Sequence, residues 1–285
     1  MIHSMTGYGK SVLELPTKTI RLEIRSLNSK SLDLNVRMPS MYRAKELELR
    51  KCIGARLGRG KIDFSLYIEF DKGEAPAKIN SEVVKSYMEQ LQNISPSASV
   101  ELLKMAVRMP DAVSTDREDI DPDEWAMISN EVGVVLGRIQ DYRKDEGIAL
   151  EKDFSIRITN IDKLLNSVID MDAERIEHVR ERLEKGISDL KEKIDQNRFE
   201  QELIYYIEKL DITEEKTRLK NHLEYFIKTL NSADSNGKKL GFISQEIGRE
   251  INTIGSKANF APMQKLVVQM KDELEKIKEQ LLNVL

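Results

Sequence analysis

Apolar and polar residues alternate over three stretches early in the chain. Ile20, Leu22 and Ile24 alternate with Arg21, Glu23 and Arg25. Leu32, Leu34, Val36 and Met38 alternate with Asp33, Asn35 and Arg37. Ile62, Phe64, Leu66, Ile68 and Phe70 alternate with Asp63, Ser65, Tyr67 and Glu69. Successive strand side chains point to opposite faces, so each stretch predicts a strand with one buried and one wet face. Asn28-Ser29-Lys30 makes a turn, and Pro39-Ser40 precedes a helix over about 40–57 that Gly58-Arg59-Gly60 ends. The order β-β-β-α-β predicts an antiparallel or mixed sheet covered by helix. Arg21, Arg25, Lys30 and Arg37 fall on wet strand positions or the turn, where phosphates could lie across them.

The period then changes. Residues 71–80 read as a linker, and 81–145 as short helices broken at Ser95-Pro96, Met109-Pro110 and Asp121-Pro122. Trp125 reads as a packing anchor, and Asp116 to Glu124 as an acidic loop without visible chemistry. From about 147 the spacing is helical. Ile158, Ile161, Leu165 and Val168 are followed by Ile176, Val179, Leu183, Ile187, Leu190 and Ile194 in near-heptad register. Phe199 to Leu210 makes a further helix. Met263, Val267, Met270, Leu274, Ile277 and Leu281 form a final seam, with Pro262 in its first turn. The fold class is α+β: an N-terminal domain over 1–146 with its sheet in 1–70, then a long-helix domain over 147–285. The last seam needs a partner helix, in the same chain or another subunit. It and the long helices motivate a homo-oligomer.

Two helical segments carry candidate chemistry. In 239–259, Leu240, Ile243, Ile247, Ile251 and Ile254 make an apolar stripe. At about 100° per residue, Glu246, Glu250, Thr253 and Lys257 share one flank of it. Carboxylates one turn apart repel, so a cation belongs beside them: a metal, Arg249, Lys257 or a neighbour's side chain. In 211–230, Glu215, Arg218 and His222 share the flank of a second stripe built from Leu219, Leu223, Phe226, Ile227 and Leu230. Asp211-x-x-Glu214 reads as a capping box. Packed together, the flanks could form a polar cleft holding Glu215, His222, Glu246 and Glu250. The bland alternative is a network of ion pairs on a solvated helix edge. His178 reads as an exposed residue of a charged helix, and His3 as a weaker candidate for chemistry.

Charge and composition narrow the function. The net charge is −4, with 45 Lys+Arg against 49 Asp+Glu. Residues 1–70 hold 13 basic against 7 acidic residues, and 71–150 hold 9 against 16. A basic segment on an acidic protein can make an anion-binding face. The chain has one cysteine, Cys52, which excludes an intrachain disulfide or a cysteine-based zinc site. It has no apolar run long enough to span a membrane, and its N-terminus lacks the apolar core of a secretory signal, so a cytoplasmic protein is expected. There is no phosphate-binding loop, dinucleotide fingerprint or H-E-x-x-H helix.

Several ordered blocks carry a family resemblance: SMTGYG at 4–9, EIRSLNSKSLD at 23–33, RMP at 37–39, RGKI at 59–62, EEKTRLKNHLEYF at 214–226 and QEIGREINTIGSKA at 245–258. The chain resembles the YicC/YloC family of bacterial proteins. It departs from that pattern at Ser31, Asn221, Gly241 and Gly248. The two glycines stand where the family usually has polar residues near the suspected cleft.

The resemblance implies an endoribonuclease in a symmetric oligomer, a hexamer, with a cavity that admits RNA. Glu215, His222, Glu246 and Glu250 would then be catalytic and hold Mn²⁺ or Mg²⁺. Arg218, Arg249 and Lys257 would join Arg21, Arg25, Lys30 and Arg37 in contacting RNA. The alternative is a non-catalytic RNA-binding adaptor delivering RNA to another ribonuclease. A helical scaffold without RNA contact is a third reading.

Overall fold

A computed structural model of the chain describes residues 2–70, 78–96, 98–114, 120–188, 196–232 and 237–285. The linker at 71–80 and the acidic loop therefore lie partly outside the described residues, and Leu190 and Ile194 wholly so. The chain divides into two compact units, Tyr8–Gln140 and Met1–Gly7 with Asp141–Leu285.

In the first unit the alternating stretches form strands, as their period requires. β1 (Gly7–Glu14), β2 (Lys18–Leu27), β3 (Leu32–Arg37) and β4 (Gly60–Phe70) make one sheet in the order β1-β2-β4-β3. β2 pairs antiparallel with β4, Arg21 opposite Tyr67 and Arg25 opposite Asp63. β3 runs parallel to β4 because a helical crossover joins them. That crossover is a 3-10 turn over Ser40–Lys45 followed by α1 (Glu46–Leu57). Ile20, Leu22, Ile24, Ile62, Phe64 and Leu66 point to the buried face, against Leu49, Ile53 and Leu57 of α1.

The segment 78–114 holds the short pair β5 (Lys78–Ile79) and β6 (Val113–Ser114), with α2 (Ser81–Ile94) and α3 (Ser99–Ala106) between them. The break at Asp121-Pro122 does open a helix, but not a short one. α4 runs unbroken over Pro122–Ser188, so its start precedes the position near 147 expected from periodicity. Its first turns carry Trp125, Ile128, Val132, Leu136 and Ile139 into the core of the sheet unit. Trp125 is the anchor its sequence context suggested, with its ring 6.1 Å from that of Tyr42.

Tyr42 is fully buried and donates to Glu124, which also pairs with Lys18 at 2.8 Å. Burial first, then the Glu124 carboxylate, pushes the Tyr42 hydroxyl well above its ordinary range. Unfolding restores the ordinary value near 10. The resulting stabilisation is complete below about pH 10 and is lost as pH rises towards the folded value. Denaturant midpoints should therefore fall above about pH 10. Tyr42→Phe, which has no proton to lose, should show a shallower fall, and an unchanged slope would rule Tyr42 out as its source.

The second unit is helical. It contains the rest of α4, then α5 (Gln196–Lys209), α6 (Thr213–Leu230), α7 (Gly237–Ala258) and α8 (Ala261–Leu281). Phe154, Ile158, Ile161, Leu165 and Val168 share one core with the stripes of α6, α7 and α8. The seam from Met263 to Leu281 is buried there, so the chain covers it without a second subunit. Gly248 is placed against α8: a Cβ on it would sit 3.1 Å from Leu274 Cδ2. At Gly255 the same atom would lie 3.0 Å from Val267 Cγ1. These glycines let α7 and α8 approach closely, which corrects the reading of Gly248 as a side chain missing from the cleft.

The SMTGYG block begins in this unit. Ile2, Ser4 and Met5 are buried. The Ser4 amide donates to the Arg143 carbonyl at 3.0 Å, and Arg143 Nη2 donates to the Met5 carbonyl at 3.2 Å. The Met5 amide donates to the Asn283 carbonyl at 2.7 Å, and the Leu285 amide to the His3 carbonyl at 2.9 Å.

Candidate active site

α6 and α7 pack side by side, and two contacts fix their relation. Lys257 Nζ meets Glu215 Oε1 at 2.7 Å, and Lys239 Nζ lies 5.1 Å from the centre of the Tyr225 ring. The start of α6 is thus beside the end of α7, and the helices run antiparallel. Interpolating between the two contacts puts His222 level with the turn before Glu246, and puts Glu250 about one turn further towards Glu215, level with Leu219. Glu215 lies seven residues from His222, roughly 10 Å along the axis. The two flanks do meet, but as a long strip rather than one focus.

The carboxylates have different surroundings. Glu250 is 4% exposed and makes no hydrogen bond or ion pair among the described residues. Glu215 is 7% exposed, and its second oxygen, Oε2, is buried without a hydrogen-bond partner. Glu246 is half-exposed and accepts from Arg249 Nη1 at 3.1 Å. Arg218 turns to Glu214 at 2.5 Å on the exposed side of α6. His222 is half-buried. The repulsion expected between Glu246 and Glu250 is relieved by splitting their environments, one towards solvent and Arg249, the other inward.

Lys257 does two jobs. It neutralises Glu215 and donates to the Asp211 carbonyl at 2.9 Å. From α4, Arg175 donates to the adjacent Leu210 carbonyl at 3.0 Å and to Asp172 at 2.8 Å. Asp172 also receives Lys216 at 2.5 Å. The corner between α5 and α6 is therefore gripped from both sides by cations on backbone carbonyls. This brace was not visible in the sequence, because its partners are 35 to 46 residues apart. Asp211 stands one residue before the N-cap Ile212 and accepts from the Thr213 amide at 3.0 Å and its hydroxyl at 2.7 Å. The Thr213 hydroxyl first, then the backbone amides, holds the Asp211 carboxyl below its usual range. Glu214 faces Arg218 instead of closing a capping box.

Lys257→Met should leave Glu215 buried and uncompensated. Because Lys257 is itself one-third exposed, the cost should be about 2 kcal/mol, below that of breaking a fully buried pair. Adding Glu215→Gln should recover much of it. A urea midpoint unmoved by Lys257→Met would show that water already solvates Glu215.

Among the described residues no three His, Cys, Asp or Glu side chains are grouped so as to hold a metal ion. As placed, Glu215, His222, Glu246 and Glu250 do not fit one: Lys257 sits on Glu215, and Arg249 on Glu246. The arrangement is ion-paired, with Glu250 left over.

The wet face of the sheet carries Arg21, Arg25 and Arg37, all exposed, and Lys30 follows in the exposed turn. The same face also carries Glu23, Asp33, Asp63 and Glu69. Arg21 pairs with Glu69 at 2.8 Å and Arg25 with Glu23 at 2.5 Å. Such exposed pairs contribute little net stability, so these cations can change partners at little cost. His178 is exposed, with its ring 5.8 Å from that of Phe260. No described helix is long and apolar enough to cross a membrane.

Residues 2–152 match the family model described as "Endoribonuclease YicC-like, N-terminal region", and residues 168–285 match "Endoribonuclease YicC-like, C-terminal". The chain belongs to the endoribonuclease YicC-like family. It is 32% identical over 294 residues to "Probable endoribonuclease YicC" of Clostridioides difficile (strain 630), covering all of both chains. It is 29% identical over 287 residues to the protein of the same name from Haemophilus influenzae (strain ATCC 51907 / DSM 11121 / KW20 / Rd), again over the full length of both. Three of the family blocks fall on elements that build the helical unit. EEKTRLKNHLEYF lies in α6, QEIGREINTIGSKA in α7, and SMTGYG spans the docked N-terminal segment and the start of β1.

Proposed function

We propose that this chain is an endoribonuclease and that the strip between α6 and α7 carries its chemistry. The observation behind the site is Glu250, a residue 4% exposed with no hydrogen bond or ion pair among the described residues, about one turn along the strip from His222. A carboxylate and an imidazole on opposite sides of a phosphodiester suit general acid–base work. Glu250 takes the proton from the attacking hydroxyl, of water or of the ribose. The new P–O bond forms as the bond to the leaving oxygen breaks, and His222 gives that oxygen a proton. Arg218, Arg249 and Lys257 hold exposed or shared ion pairs and neutralise the charge that develops on the phosphoryl oxygens.

The finer parts of the proposal rest on the family. The family resemblance adds Mn²⁺ or Mg²⁺, which these carboxylates would hold only after Lys257 and Arg249 release Glu215 and Glu246; the acid–base step above does not pass through it. The protein is cytoplasmic, and RNA enters a cavity shared by several copies, a hexamer. Light scattering on the purified protein tests the assembly. Labelled RNA incubated with Mn²⁺, Mg²⁺ or chelator tests the reaction. Cleavage in none of the three would overturn it. The pre-paired carboxylates favour the adaptor reading as the alternative, in which RNA is bound intact and passed to another ribonuclease.

Arg21, Arg25, Lys30 and Arg37 would position RNA through its phosphates without reading its sequence. Replacing Arg25 and Arg37 together by Gln should weaken all RNAs alike and lower the salt slope by about two. Unchanged affinity at low salt would remove this face from the proposal.

A further inference from the structure

Two large aromatic side chains lie exposed beside the strip, and the chemistry proposed above does not use them. Tyr225 is 43% exposed and Phe242 is 58% exposed. Scattered exposed aromatics are ordinary on protein surfaces. These two are not scattered. Tyr225 stands three residues after His222, on the flank of α6 that holds Glu215, Arg218 and His222. Phe242 stands four residues before Glu246, on the matching flank of α7. The ammonium of Lys239 rests over the Tyr225 ring, so this end of the strip combines cation and π face.

Three of the charges beside them are lysines, with Glu224 and the Arg249-paired Glu246 as the nearby carboxylates. Lys228, Lys238 and Lys239 are exposed and make no ion pair among the described residues. The chemistry on offer is thus aromatic faces for stacking beside free ammonium groups for phosphate. An unpaired nucleotide presents both, whereas a duplex hides its bases inside the stack. We propose that Tyr225 and Phe242 form a stacking subsite for unpaired nucleobases of RNA, one turn from the His222–Glu246 end of the strip. The subsite rests on the RNA reading above and gives it a substrate class, single-stranded RNA.

The test uses the full-length protein and a fluorescein-labelled 2′-O-methyl 12-mer, which keeps bases and phosphates but lacks the ribose hydroxyl. Anisotropy titrations compare this single strand, its blunt duplex, and a 12-mer with four central bases removed. Tyr225→Leu/Phe242→Leu should lose about tenfold or more in single-strand affinity, given the usual contribution of a stacked base. Its duplex affinity should change less than about twofold, and its salt slope should not change, because the phosphate contacts survive. The base-free strand should bind the unaltered protein about as weakly as the intact strand binds the variant. Tyr225→Phe/Phe242→Tyr keeps both rings and should bind normally, and a circular-dichroism melt checks that all variants fold.

Equal single-strand affinity for the Leu variant and the unaltered protein would overturn the subsite. So would an equal loss on duplex and single strand, or a loss accompanied by a change of mass in light scattering, which would mark this surface as a contact between copies. An unaltered protein that binds none of the three probes would defeat the RNA reading itself. Binding by the unaltered protein with no effect of the Leu variant would defeat the subsite alone.

Discussion

Glu250→Gln should reduce RNA cleavage by about a hundredfold or more while leaving RNA affinity within a few fold. Removing a positioned general base typically costs 10²–10⁴ in rate. The substitution keeps the shape of the side chain and deletes its charge and its capacity to take a proton. Its fold consequences are small, since Glu250 has no partner among the described residues to lose. Glu246→Gln is the internal contrast. Glu246 is half-exposed and already bonded to Arg249, so its loss should cost only a few fold. Cleavage by both variants at the unaltered rate would remove the α6–α7 strip from the mechanism. An equal, large loss from both would mean that the two carboxylates act as a unit, the behaviour a shared cation would impose.

Gly147→Ala should be among the most destabilising single-methyl additions in this protein. In an exposed helix, Gly→Ala gains up to about 1 kcal/mol from backbone propensity. At 147 the added Cβ would lie 2.2 Å from the Ile2 carbonyl oxygen and 3.1 Å from His3 Cα. Both obstacles are backbone, so no side-chain rotation relieves them. Either α4 or the N-terminal segment must move, and the expected cost is about 3 kcal/mol despite the propensity gain. Gly137 lies in the same helix with nothing near its missing Cβ, so Gly137→Ala should stabilise instead. Urea midpoints of the two variants should move in opposite directions. Hydrogen exchange should speed up at the Met5 and Leu285 amides of Gly147→Ala, because their acceptors, Asn283 and His3, are aligned by the docked segment. A Gly147→Ala variant as stable as the unaltered protein would contradict that docking.

Local pattern alone settled much of this protein. A period of two is a property of the strand itself, so β2, β3 and β4 and their buried faces were legible in the alternation at 20–24, 32–38 and 62–70. A period near 3.6 likewise marked α6, α7 and α8 and put Glu215, His222, Glu246 and Glu250 on flanks of apolar stripes. The ordered family blocks, confirmed over nearly the whole chain, named the family.

What the pattern could not settle depends on distance across space rather than along the chain. The short helices expected up to residue 145 give way to one long helix at Asp121-Pro122, because Trp125, Ile128, Val132 and Leu136 already form a stripe that packs into the sheet core. The apolar seam of α8 looked open until α4, α6 and α7 were seen to close over it. Gly248 looked like a deletion from the cleft, yet it is the contact that lets α8 approach. The charges of the strip followed the same rule. The helical wheel placed four potential ligands on two flanks, and Arg249 meets Glu246 within the same helix, but antiparallel packing spread the four along the helices, gave Lys257 to Glu215, and left Glu250 buried without an ion pair among the described residues. Side-chain direction is a local property of each helix. Partner choice is decided by the register and separation of two helices, and those are set by the packing of the whole core.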